Sequence, residues 1–95
     1  MGMLELGGGI FLDNFESIDS GRLIIVKKIV GNYTKNVSDK TDKFKKIIVR
    51  LEEGHGYKIT VELLTDKEYS AEAVRTNLFF VLDDALCGVT EQFTQ

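Results

Sequence analysis

A single cysteine, a single histidine, no proline and no tryptophan stand among these 95 residues. One cysteine, Cys87, excludes an internal disulfide and fits a reducing compartment. One histidine, His55, with no second histidine or cysteine at a metal-ligand spacing, excludes the common zinc arrangements. The missing proline and tryptophan exclude nothing. The longest apolar runs, Leu23–Val26 and Leu78–Leu82, fall far short of the roughly 18 residues a membrane span needs. No basic-then-apolar leader opens the chain, so a soluble, cytoplasmic product with no membrane partner is expected. Two formal glycosylation triplets, Asn32-Tyr33-Thr34 and Asn36-Val37-Ser38, lack the secretory context that would give them meaning.

What is present suits one small α/β domain over residues 1–95, with a core two layers thick. A hydrophobic fraction of 43% with 28% charged residues is too apolar for a disordered chain. The formal net charge of −3 hides an asymmetry: from Arg22 to Arg50 there are nine basic and two acidic residues, and elsewhere three basic and thirteen acidic. A split of this kind points to a basic surface able to meet phosphate or an acidic partner, although charge runs are commonly solvated faces.

Leu4-Glu5-Leu6 alternates as a short strand, and Gly7-Gly8-Gly9 interrupts it with a bulge or bend before Ile10-Phe11-Leu12 resumes. A phosphate-cradling loop would need a helix N-terminus after the glycines, and an apolar run follows instead. Leu23, Val26, Val30, Tyr33 and Val37 recur at spacings of three and four, which predicts a helix over Asp19–Asn36 with Arg22, Lys27, Lys28 and Lys35 on its other side. Gly31 inside it costs roughly 1 kcal/mol relative to alanine and suggests a bend or a close backbone approach. Ser38–Lys43 reads as a solvated connection.

Period-two alternation predicts strands over Phe44–Glu52, Tyr57–Leu64 and Tyr69–Val74, joined by Glu53-Gly54-His55-Gly56 and by a tight turn at Asp66-Lys67. Ala71 and Ala73 leave room on their face for a helix. That helix is predicted over Thr76–Gln95, capped by Thr76 or Asn77, with Leu78, Leu82, Ala85, Val89 and Phe93 inward. The resulting fold class is α+β: a β-α-β-β-β-α two-layer sandwich, a four-stranded mixed sheet with both helices on one face.

No residue constellation supports catalysis, so the chain is expected not to be an enzyme, and no metal or cofactor is expected. Adjacent Asp83 and Asp84 point about 100° apart on a helix, which is poor geometry for a shared proton. Cys87 falls beside the apolar stripe and reads as core packing. Phe79-Phe80 reads either as spanning a wide core or as one ring supporting a dimer or partner contact.

Tyr69-Ser70-Ala71-Glu72-Ala73, followed by Asn77-Leu78-Phe79-Phe80-Val81-Leu82-Asp83-Asp84-Ala85-Leu86, resembles the ribosome hibernation-promoting factor and ribosome-associated inhibitor family. The resemblance implies a domain shaped like a double-stranded RNA-binding domain that sits on the small ribosomal subunit, with basic residues of both helices facing RNA. Here the second helix has Asp83, Asp84 and Glu91 and no basic residue, a departure from that pattern. The candidate contacts to ribosomal or other structured RNA, or to an acidic protein partner, are Arg22, Lys27, Lys28, Lys35, Lys45, Lys46 and Arg50. The alternative is a protein–protein interaction domain without a nucleic-acid role, a homodimer joined through a strand edge or the sheet's open face.

Overall fold

A computed structural model describes residues 3–93. Among them the order is β1 (Met3–Gly7), β2 (Ile10–Asp13), α1 (Ser20–Lys40), β3 (Lys46–Glu53), β4 (Tyr57–Leu64), β5 (Glu68–Arg75) and α2 (Leu78–Phe93). The strands form one mixed sheet in the order β1-β2-β3-β4-β5, with β2 and β3 parallel and the other neighbours antiparallel. The α+β class holds. The four-stranded sheet is corrected to five, because the first strand is two.

Three glycines make that difference. Gly7, Gly8 and Gly9 all have positive φ, at 89°, 60° and 82°, a run that residues with a Cβ rarely adopt. The chain therefore reverses, and Leu4 lies opposite Leu12. At Gly9 a Cβ would also come within 2.6 Å of the Lys45 carbonyl oxygen. This closeness seats the turn against the start of β3, where the Ile47 amide donates to the Gly9 carbonyl at 2.8 Å.

Helix α1 starts as its sequence predicts and ends later. Asp19 caps it, its carboxylate accepting from the Arg22 backbone amide at 3.1 Å. The C-terminus lies at Lys40, four residues beyond the predicted Asn36, so Ser38–Lys40 belong to the helix rather than to a connection. Val37 is buried, and its carbonyl accepts from the Thr41 amide at 3.1 Å, which closes the last turn. Lys40 there suits the negative end of the helix dipole. No backbone approaches Gly31, since a Cβ there would meet nothing within 4 Å.

Strand β3 begins at Lys46, after Phe44, and β4 has the predicted bounds. Helix α2 begins at Leu78, with Asn77 Oδ1 accepting from the Phe79 and Phe80 amides at 2.9 and 3.1 Å. The predicted stretch beyond Phe93 lies outside the described residues.

Leu12, Ile47, Val49, Leu51, Ile59, Val61 and Leu63 form one core with Val26, Val30 and Val37 of α1 and with Leu78, Val81, Leu82, Ala85, Leu86 and Val89 of α2. Burial of these apolar groups is the main driving force for the fold. Gly88 packs over Ala71 so closely that a Cβ on it would lie 2.8 Å from the Ala71 Cβ. Both helices start at the same end of the sheet: Arg22 reaches Tyr57 at the start of β4, and α2 follows Arg75, the register partner of Tyr57. At the far end Thr90 Oγ1 donates to the Tyr33 hydroxyl at 3.1 Å, Gln92 Nε2 reaches the Ser70 carbonyl, and Tyr69 and Phe93 meet edge to face at 5.6 Å.

Candidate functional site

The seven cations singled out in the sequence do not share one surface. Alternation in β3 buries Val49 and Leu51 and turns Arg50 to the opposite face. There Arg50 faces Asp13, its register partner in β2, at 3.4 Å, and pairs with Glu62, diagonal to it in β4. The Oε1 atom of Glu62 is buried. Lys58, on the same face, lies between Glu52 at 3.6 Å and Glu72 at 3.1 Å. Hydrogen bonding to Glu72 comes first among the causes that hold the Lys58 ammonium above its usual pKa, with the charges of Glu72 and Glu52 adding to it. Around Arg50 and Lys58 this face is a lattice of paired charges, and Lys46 stands at the start of β3 on the same face.

Arg22 is engaged as well. Its Nε donates to Asp19 Oδ1 at 2.6 Å and its Nη1 to the Tyr57 hydroxyl at 3.2 Å, tying the first turn of α1 to β4. The hydrogen bond from the Arg22 side chain, followed by the one from its amide, holds the Asp19 carboxyl below the usual value of 3.8.

The remaining cations behave differently. Lys27 is half-buried, while Lys28, Lys35, Lys45 and Lys46 are exposed. None of the five forms an ion pair among the described residues. At about 100° per residue Lys28 and Lys35 lie diametrically opposite buried Val26 and Val30, so they form the outermost line of α1. Lys40 extends this basic region, a residue that sequence reasoning placed in a loop. Its signal was Val37, which continues the apolar stripe one turn past Tyr33 and lies beyond the predicted end at Asn36. Lys45 and Lys46 stand just beyond the α1–β3 connection, beside Gly9.

Apolar side chains lie among these charges. Ile24 is 64% and Ile25 46% exposed on α1, and Phe80 is 67% exposed on α2. Phe79 is half-buried against the core, so the two rings part company and do not span it together. Cys87 is exposed, not packed in the core: at 100° per residue it falls on the opposite side of α2 from Ala85 and Val89. Desolvation, then Asp83, Asp84 and Glu91, pushes its thiol pKa up. Asp84 accepts from Arg75 Nε at 2.8 Å, and Asp83 and Glu91 face outward.

A concavity of about 440 Å³ surrounds the β3–β4 turn, lined by Glu53, His55, Tyr57, Lys58, Arg75 and Thr76 among others. Among the described residues no hydrogen bond joins His55 to a nucleophile or acid there. Among the described residues no group of three His, Cys, Asp or Glu side chains could hold a metal ion, and no helix is long and apolar enough to cross a membrane. Scanned against models of known protein families the chain matches none, and a search of curated proteins likewise returns no match.

Proposed function

We propose that this chain is a non-enzymatic binding module that holds the phosphate backbone of structured RNA against the outer line of α1, as its resemblance to ribosome hibernation factors implies. The observation that carries this reading is the distribution of free cations. Lys28 and Lys35 project from α1 opposite the core without carboxylate partners, whereas Arg50 and Lys58 are held between acids. Unpaired lysines displace the counterions condensed on RNA phosphates, and this release supplies a large share of the affinity in nucleic-acid binding. Lys27, Lys40 and Lys45 lengthen the basic region, whereas Lys46 shares the open face of β3 with Arg50.

We read both helices as covering one face of the sheet, since their buried side chains share a core with alternate residues of β3 and β4. The module then presents a helical layer to its ligand. A cytoplasmic location and a ribosomal target belong to the same reading. Fluorescence anisotropy with a labelled RNA hairpin and with small ribosomal subunits tests it. Binding should weaken steeply as salt rises, and each lysine removed from α1 should lower the salt slope by about one. Salt-insensitive or undetectable binding at low ionic strength overturns it.

A further inference from the structure

The outer lines of the two helices match in position and oppose in charge. On α1, Ile24, Lys28 and Lys35 stand at i, i+4 and i+11; on α2, Phe80, Asp84 and Glu91 stand at the same intervals, about 6 and about 16 Å along the axis. Lys27 and Asp83 occupy equivalent places one residue earlier. Gly31, where a Cβ would meet nothing within 4 Å, has Cys87 as its counterpart. Each line is the side of its helix turned away from the core. Within one chain no ion pair joins the two helices among the described residues, so these charges do not satisfy one another internally.

We propose that two copies of this chain associate helical layer to helical layer, with the outer line of α1 on one copy lying along the outer line of α2 on the other. Both helices start at the same end of the sheet. A two-fold axis running along the helices, between the layers, therefore sets α1 over the partner's α2 and α2 over the partner's α1 in parallel register. Such a contact is isologous and closed, so it stops at two copies. It covers Ile24 and Phe80, the most exposed large apolar residues on the helices, and sets Lys28 and Lys35 against Asp84 and Glu91. Cys87 enters the space above Gly31. Charge of opposite sign at matching intervals selects this pairing over α1 on α1 or α2 on α2, each of which would oppose like charges. The dimer goes beyond the RNA reading and excludes RNA on the same molecule, because both use Lys28 and Lys35.

The test is a charge swap followed by sedimentation velocity over a concentration series, with circular dichroism to confirm folding. One variant carries Lys28→Glu and Lys35→Glu; a second carries Asp84→Lys and Glu91→Lys, their counterparts across the contact, with the folding check covering loss of the Arg75–Asp84 pair. Each alone should weaken self-association by about tenfold or more. An equimolar mixture of the two should restore the dimer as a heterodimer, and so should all four changes in one chain. Alkylation of Cys87 should slow as the wild-type concentration rises and stay constant in either charge variant. The α2 changes should leave RNA binding intact, which separates failure of the dimer from failure of the RNA reading. A wild-type chain that stays monomeric overturns the proposal. So does a dimer indifferent to both swaps, which would use the β5 edge or the open sheet face instead.

Discussion

Arg50 and Lys28 lie 22 positions apart in one basic stretch, yet they have different chemical availability. Arg50 sits on the sheet between Asp13 and Glu62, while Lys28 stands on the far side of α1 and forms no ion pair among the described residues. The difference teaches that a run of cations in a sequence does not measure the positive potential it delivers. Strand register delivers carboxylates to one set, and helical phase carries the other set away from them.

The comparison breaks most readily at α1. Lys28→Glu with Lys35→Glu should lower affinity for structured RNA by about 100-fold at low salt, while Arg50→Met should change it by no more than about twofold, both read by anisotropy. Equal losses would end the distinction. The converse sharpens it: Arg50→Met should cost about 1 kcal/mol in urea unfolding, because it removes the cation between Asp13 and the buried Glu62 oxygen, whereas Lys28→Met should lie within about 0.5 kcal/mol of wild type.

A smaller effect should appear on the opposite helix. The Cys87 thiol is pushed up in pKa by desolvation and by Asp83, Asp84 and Glu91, so it should alkylate a few-fold more slowly than a free cysteine at pH 8. Asp83→Lys with Glu91→Lys should speed the reaction in dilute protein. The smallest effect concerns Arg22, the one cation of α1 with an ion pair among the described residues. Asp19→Asn keeps a capping side chain but removes the charge facing Arg22. The Asp19 carboxyl is lowered when folded, so its contribution is present above the unfolded value of about 3.8 and is lost as pH falls through the folded value. The wild type should therefore show a slightly higher urea midpoint at pH 7, and the gap should close in strong acid.

Much of the fold was legible where one period ran uninterrupted. Strand β4 has both its predicted ends, and Asn77 caps α2 as one of two candidates. The N-terminal hairpin was not legible, because alternation through Leu4–Leu12 is blind to the sign of φ at the three glycines between its halves. The end of α1 was obscured by Ser38, Asp39 and Lys40, polar residues that suit a solvated last turn as well as a loop. Cys87 went astray for a different reason: closeness in sequence to an apolar stripe is not closeness in angle around a helix, whereas Phe79-Phe80 left two readings open and the exposure of Phe80 removes the one in which both rings span the core. At the candidate site the residue types were visible, but their partners were not. Arg50 meets Asp13 from 37 positions away only because β2 and β3 pair in parallel at that register.

The Gly88–Ala71 contact has a mechanical consequence. Helix α2 rests on β5 through two small residues with no room for a further carbon, and that contact works as a fulcrum. A methyl group added at Gly88 lifts the middle of the helix, and tilting about it swings Phe80, about two turns upstream, and Glu91, about one turn downstream, in opposite senses. The alignment of the whole acidic line therefore hangs on the size of one side chain that carries no charge and lies at no surface contact.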